Sequence, residues 1–353
     1  MPSPLNSQLL KLKQAFHAQW NDEAKFHMAE IIHSKPFSIL AALFVSSLIV
    51  QIVSGLLLSI HFSPSSATVI NEQGDFLAVK NIEKVLLDPE GDTLATPGDK
   101  VFLAAGAEDV IPTRSYQSIV HISQTTPLKH IRTIHAINTH CLLAIIISIL
   151  VFFGIHVKDT RYFRGLWLLM ILVSLLFTMI AWMGYILPWD QFSSTSYLIV
   201  QGILEQGLGI VLGQPMDIIA RYFSLHSMVF PILTIALLFP IGKIFHFSFR
   251  NINQSIAYAF ILLIMISGIV FERLNPILPP AHAFIPSSTS LEPSWFFQPI
   301  HGIISTMPVD LACIIISMIV VAIILLPFIQ SYRMRISALG IMLALSILYA
   351  IIY

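Results

Sequence analysis

Seven apolar stretches govern what this chain can become. They run over residues 37–61, 133–156, 165–186, 224–245, 255–271, 311–329 and 336–353. A helix of about 20 residues crosses the roughly 30 Å hydrocarbon layer of a bilayer. No water is available there to satisfy backbone N–H and C=O groups, so a segment of this length spans as a helix that satisfies its own. Charged residues make up 11 % of the 353 and hydrophobic residues 56 %. A soluble domain carries about 25 % charge, and one of this size could not hide so much apolar surface. The expected fold class is an all-α membrane protein with seven transmembrane helices. Disordered, collagen-like and disulfide-scaffold classes are excluded. With 19 basic and 19 acidic residues, nothing points to nucleic acid as a partner.

The flanking segments add detail. In residues 1–35, Leu5, Leu9, Leu12, Phe16 and Trp20 recur every three or four positions among Lys and Gln, which reads as an amphipathic helix on the membrane surface, with a loosely ordered tail as the alternative. The first long apolar run begins only near Phe37, which does not fit a signal peptide. The connection 63–130 is long, rich in Gly and Pro, and acidic, with Asp75, Glu83, Asp88, Glu90, Asp92, Asp99, Glu108 and Asp109; it reads as a small extramembrane subdomain or a partner surface. A further amphipathic stretch lies in 187–222, and 272–309 holds five prolines, Pro276, Pro279, Pro280, Pro286 and Pro293. With the N-terminus inside, the inner segments carry eleven Lys and Arg against four acids, and the outer ones eight against fifteen. That is the positive-inside pattern, with a cytoplasmic N-terminus and the C-terminus outside. Cys141 and Cys313 sit in apolar runs without CxxC, CxxCH or zinc spacing, which argues against covalent haem, structural zinc and iron–sulfur clusters. No half-and-half repeat suggests a secondary transporter.

Ionisable groups inside a bilayer are functional candidates by default. His135 near the start of the second span and His226 near the start of the fourth lie at one depth, close to the outer face. Two parallel helices offering neutral imidazoles at one depth can clamp a haem through both axial positions. Gly55 in the first span and Gly184 in the third stand at the matching depth, where the missing Cβ lets a flat cofactor approach. Arg132, about one turn outward of His135, can pair with a propionate. Each has a plainer reading: interfacial histidines, small-residue helix packing, and a snorkelling charge.

Several motifs then resemble cytochrome b of the quinol-oxidising bc-type complexes, over nearly the whole chain from Phe37 onward. Ile131-Arg132-Thr133-Ile134-His135 resembles the start of the family's second helix, and Gln51 with Gly55 its QxxxG pattern. Gly184-Tyr185-Ile186-Leu187-Pro188-Trp189-Asp190-Gln191 resembles its GYxLPWxQ signature in the PWDQ form of the chloroplast-type branch. Arg221 to His226 with Pro231 resembles the start of its fourth helix, and Pro293-Ser294-Trp295-Phe296-Phe297 its PEWY motif. After the amphipathic segment at 1–35, the resemblance implies a haem bundle at 36–250 and a C-terminal part at 251–353. It implies haem b on His135 and His226, with Gln51, Gly55, Arg132, Gly184 and Pro231 around it. It also implies a quinone pocket near Pro188, Trp189, Pro293 and Trp295.

The family's second haem is a different matter. Its ligands would fall 14 residues after His135, at Ile149, and 14 or 15 after His226, at Pro240 or Ile241. None of these ligates iron. The companion glycines are replaced by Ala41 and Met170, and the companion arginine by Phe152. A displaced haem on His156 and His246 is the alternative, some 31 Å from the first at a rise of about 1.5 Å per residue. The PEWY glutamate is Ser294, which is no base at neutral pH. Glu292 and Asp190 are the carboxylates left as candidate bases. Three readings stand. The first is a single-haem electron-transfer subunit serving a periplasmic cytochrome, an iron–sulfur protein or a quinone. The second is a scaffold for extrinsic redox subunits with a structural haem or none. The third is a quinol oxidoreductase with a displaced second haem. The family implies a dimer, and the divergence of the pattern a bacterial inner membrane rather than a mitochondrial one.

Overall fold

The structure is a computed structural model that describes residues 30–31, 34–87, 90–156, 161–208, 215–244, 253–271, 276–281, 297–329, 331, 333–341 and 344. The expected surface helix of residues 1–35 lies almost wholly outside these. So do Glu292, Pro293, Ser294, Trp295 and His246.

Helix α1 (Lys35–His61) starts where Ser34 caps it, the side chain accepting from the Phe37 N–H, with Pro36 in the first turn. A polypeptide excursion of two β-hairpins and α2 (Arg114–Gln124) leads to α3 (Leu128–His156) and α4 (Arg161–Ile186). Helices α5 (Gln191–Leu208) and α6 (Pro215–Ser224) follow. A π-helical turn (Leu225–Val229) joins α6 to α7 (Phe230–Ile244) without a break. Then come α8 (Gln254–Val270), α9 (Gln298–Thr306), α10 (Val309–Leu325) and a helical stretch at 333–341. Among the described residues five helices are long and apolar enough to cross a membrane, and α8 is a shorter apolar helix. Each lies within a few residues of an expected span. The seventh expected span, 336–353, falls mostly outside the described residues.

Helices α1 and α3 pack side by side with α8 against both, while α4 packs on α3 and α7. Several hydroxyls in these helices are satisfied within their own helix, as Ser46 on Ala42 O (2.7 Å) and Ser174 on Met170 O (2.8 Å). Trp167 Nε1 donates to Ile323 O (3.0 Å), tying α4 to α10.

The 63–130 connection is folded. Strand β1 (Leu77–Asn81) pairs antiparallel with β4 (Lys100–Ala104), Val79 opposite Phe102. Between them β2 (Leu86–Leu87) pairs with β3 (Thr93–Ala95). Glycines 74, 91 and 98 adopt left-handed φ at the turns, which is why the stretch is glycine-rich. One face of β1–β4 lies on the helical body. Lys100 Nζ donates to Ile277 O (2.8 Å), Leu278 O (3.3 Å) and the Tyr116 hydroxyl (3.1 Å), and that hydroxyl donates to Leu278 O (2.8 Å). Ser115 Oγ donates to Leu187 O. Burial lowers the Lys100 ammonium to about 8, opposed by the Asp190 carboxylate and aided by the Arg132 guanidinium. Burial also pushes the Tyr116 phenol up, with the Asp190 carboxylate adding to it.

A lysine neutralised more readily in the folded state than in the unfolded one, where it titrates near 10.5, makes stability rise with pH. The contribution is fully present above 10.5 and is lost as pH falls through about 8. Thermal unfolding of the detergent-solubilised protein is expected to shift upward between these pH values. Lys100→Met is expected to flatten that rise, and an unchanged slope in the variant would show that another group sets it.

Candidate functional site

His135 and His226 come together although 91 residues separate them in sequence. Their ring centroids are 6.3 Å apart and their planes are inclined by 72°. His135 sits on the second turn of α3. His226 sits in the π turn, whose Phe230 N–H bonds to Leu225 O, five residues back rather than four. Pro231 explains the turn. It has no N–H and its ring clashes with the carbonyl four residues earlier, so the helix widens there and re-aims His226.

Each imidazole leans on a glycine. A Cβ on Gly55 would lie 3.1 Å from His135 Cε1, and one on Gly184 would lie 2.8 Å from His226 Cε1. The first is tight and the second impossible without movement, so no other residue seats these rings so closely.

Hydrogen bonds set the tautomers. His226 Nδ1 lies 2.7 Å from Ile180 O, which can only accept, so Nδ1 carries the proton and Nε2 keeps its lone pair. Ser54 Oγ donates to Val50 O (2.6 Å) and accepts from His135 Nδ1 (2.9 Å). His135 Nε2 is therefore also the basic nitrogen, and Gln51 Nε2 donates to it at 3.0 Å. Gln51 is held in turn. Its second N–H meets Thr139 Oγ1 (2.7 Å), and its carbonyl accepts from Asn138 Nδ2 (2.7 Å). Fully buried Asn138 completes the set with Ser47, donating to Ser47 O (2.9 Å) and accepting from Ser47 Oγ (2.9 Å). Ser47, Ser54, Asn138 and Thr139 escape a motif-based reading. Their signal is periodicity: Ser47, Gln51 and Ser54 share one face of α1, and His135, Asn138 and Thr139 one face of α3. A buried polar group left without a partner costs about 1–3 kcal/mol, so the ladder holds α1 and α3 in one register.

Two neutral imidazoles with basic Nε2 atoms are the donor set of a bis-histidine haem iron, each oriented by a bond from its other nitrogen. Among the described residues no group of three or more His, Cys, Asp or Glu could hold a bare metal ion. A macrocycle that brings its own in-plane ligands suits a two-histidine site.

The other expected residues fall as follows. Arg132 lies one turn before His135 and close enough to act on the Lys100 ammonium together with Asp190. Asp190 stands immediately before α5, its carboxylate accepting from Ser193 N (2.9 Å) and Ser193 Oγ, as an N-cap does. Both contacts fall on Oδ1, and through them the carboxylate has a structural duty. Trp189 has φ +51°, a left-handed conformation costing a non-glycine residue roughly 1–2 kcal/mol. Neighbours hold it: its carbonyl accepts from Ala281 N (3.2 Å), Gln191 N donates to Pro279 O (3.0 Å), and its ring lies 5.8 Å from Tyr197. The Pro188–Trp189 turn is thereby stitched to 279–281. Tyr185 of the same motif bonds His140 Nε2 at 3.1 Å and packs against Phe192 and Phe297. His156 is exposed, its Nδ1 on Phe152 O of its own helix (2.7 Å).

At the opposite end of the bundle, Met170 belongs to a buried cluster with Phe37, Phe153, Leu166 and Trp167, and Ala41, Ile149, Phe152 and Ile241 pack against it. Ala41, Ile149, Phe152, Met170 and Ile241 are positions to which the sequence resemblance assigns a second haem's ligands, glycines and arginine.

No family model matches the chain. It is similar to the cytochrome b of Bugula neritina, 24 % identical over 229 residues, covering 55 % of this chain and 61 % of that protein. It is also similar to the cytochrome b of Cyanidium caldarium, 25 % identical over 227 residues, covering 52 % of this chain and 56 % of that one. The chain thus spans less than two thirds of the length of these relatives. In fold it is similar to a chain of a hyperthermophilic respiratory Complex III, with a TM-score of 0.61 and 15 % identity over 90 % of this chain and 83 % of the other. Together these support a divergent cytochrome b of the bc family.

The glycine geometry has a direct consequence. Gly184→Ala is expected to push the His226 ring aside and destabilise the protein by ~1–3 kcal/mol, the usual cost of overpacking. Gly55→Ala, with more clearance, is expected to cost less. Equal unfolding temperatures for Gly184→Ala and wild type would mean that the ring does not rest there.

Proposed function

We propose that this divergent cytochrome b is the haem-carrying membrane subunit of a respiratory electron-transfer assembly of the Complex III type, with one b-type haem between His135 and His226 near the outer face. The observation that carries this reading is the contrast between the two ends of the bundle. One end keeps two imidazoles of fixed tautomer, each on a glycine. The other is packed with Phe37, Phe153, Trp167 and Met170, with Ala41, Ile149, Phe152 and Ile241 against them.

Bound there, the haem supplies a one-electron carrier. The chain's own residues do the rest. His135 and His226 would hold the iron through Nε2. Ser54 and Ile180 O keep the proton on each Nδ1 and so keep the two Nε2 atoms basic. Gln51, which donates to His135 Nε2, would give up that bond to a ligated iron and keep its bonds to Thr139 and Asn138. Arg132 offers a positive charge for a propionate. The apolar cluster excludes water and cofactor from the opposite end. Electrons exchange on one side of the membrane, with a periplasmic cytochrome, an iron–sulfur protein or a quinone beside Pro188 and Trp189. The charge bias of the connecting segments supports a cytoplasmic N-terminus, and the divergent pattern supports a bacterial inner membrane. Ser294 in the PEWY-like motif speaks against conventional quinol oxidation with the second electron crossing the bilayer.

One observation favours a second reading, a scaffold whose histidine pair is a buried polar contact. Gln51 already satisfies His135 Nε2 within the protein. Haem stoichiometry decides. Pyridine haemochrome analysis of the purified protein is expected to give one b-type haem per chain, lost in His135→Ala and in His226→Ala and kept in His156→Ala. No haem in intact wild-type protein would leave the scaffold. Two would restore the displaced site on His156 and His246.

A further inference from the structure

The folded excursion between α1 and α3 packs on the rest of the chain in one place and exposes apolar side chains in others. Val79, Asn81 and Lys100 share a cavity of about 270 Å³ with Tyr116, Pro279 and Pro280. Away from it, Ile70 and Phe76 form a cross-strand pair, 42 % and 50 % exposed, and Leu103 is 42 % exposed. The second hairpin repeats the pattern, with Val85, Leu87 and Leu94 exposed at 53 %, 53 % and 61 %. Apolar exposure is ordinary on a membrane-spanning helix. On a β-subdomain outside the spans, six large apolar side chains in two patches mark a contact surface.

The acidic residues surround these patches. Exposed Glu72 and Asp75 flank the Ile70–Phe76 pair. Exposed Glu83, Glu90 and Asp92 flank the second hairpin. Residues 63–113 hold nine acidic and three basic side chains. Two copies of so negative a face repel each other, and so does an anionic lipid surface. A soluble protein with an apolar patch ringed by lysine or arginine is complementary to both the charge and the apolar tips.

We infer that the exposed apolar side chains of the 63–113 hairpins dock a cationic soluble protein, its apolar centre on Phe76 and Leu94 and its basic rim on the surrounding carboxylates. This gives the extrinsic redox partner of the proposed function a place on the chain, yet the docking does not depend on haem.

The test measures binding, not electron transfer. The full-length protein in nanodiscs of zwitterionic lipid is titrated with a lysine-rich soluble c-type cytochrome, and with an acidic flavodoxin as the charge-reversed control. The cytochrome is expected to bind, and to bind at least about tenfold more weakly when salt rises from roughly 20 to 200 mM. Phe76→Ser with Leu94→Ser is expected to weaken it by about tenfold at low salt, and Glu72→Lys with Asp75→Lys by at least as much. All four side chains are exposed, so unfolding temperatures are expected to stay at the wild-type value, and either pair alone is sufficient for the test. Four results would overturn the inference: no cytochrome binding; binding insensitive to the serine pair, which is charge adsorption alone; self-association lost in the serine pair, which makes the occupant a second copy; or equal binding of the flavodoxin. A haem count of one with no docking would leave the proposed function intact and remove only this surface.

Discussion

A polar side chain inside a bilayer needs hydrogen-bond partners within the protein, and this requirement organises the helices around His135 and His226. His135 finds Ser54 and Gln51 on the facing helix, and Gln51 needs Asn138 and Thr139, so α1 and α3 are locked in register by a ladder of hydrogen bonds. His226 finds a carbonyl on α4. The apolar face of a transmembrane helix packs as well on lipid as on a neighbour, so dispersion alone would leave the register loose. The polar contacts set the angles, and glycines 55 and 184 set the distances. With one proton on each Nδ1 both Nε2 atoms are bases, and on the proposed reading the arrangement that stabilises the bundle would also let them hold the haem iron.

The bundle is unequal end to end. Close packing fills one end with aromatic and aliphatic side chains, while the other keeps small residues, imidazoles and amides. Interiors pack to near crystalline density, so a flat macrocycle cannot share space with Trp167, Phe153 and Met170. On the proposed reading, this packing confines the electron carrier to one side and makes the chain a receiving or relaying station. The hairpin excursion sits on that same side of the sequence's topology. Lys100 and Tyr116 pin its inner face to residues 277 and 278, and Ser115 pins α2 to the turn at Leu187. A folded platform is therefore fastened directly to the loops that border the site.

Much of this was legible in the sequence. The spans were, because twenty apolar residues have few alternatives. The pairing of His135 with His226 and of Gly55 with Gly184 was, because a shared depth in a membrane is a one-dimensional quantity that residue counting recovers. The polar ladder was not read, since Ser, Thr and Asn in a helix usually bond their own backbone, and only the facing helix distinguishes Ser47 from Ser46. The π turn at His226 was hidden behind a proline that could equally have ended the helix. The cap that Asp190 makes at the start of α5 was hidden inside a motif read for its carboxylate. The hairpins were obscured by their short strands, two to five residues each, in which alternation cannot be told from chance.

The central claim is a single low-spin haem at one end of the bundle. An optical redox titration of the purified protein tests it most directly, following the reduced b-type absorbance band as potential is lowered. The account predicts one Nernstian one-electron component containing the full absorbance change, removed in His226→Ala. Two components of comparable amplitude would place a second haem in the chain and contradict it.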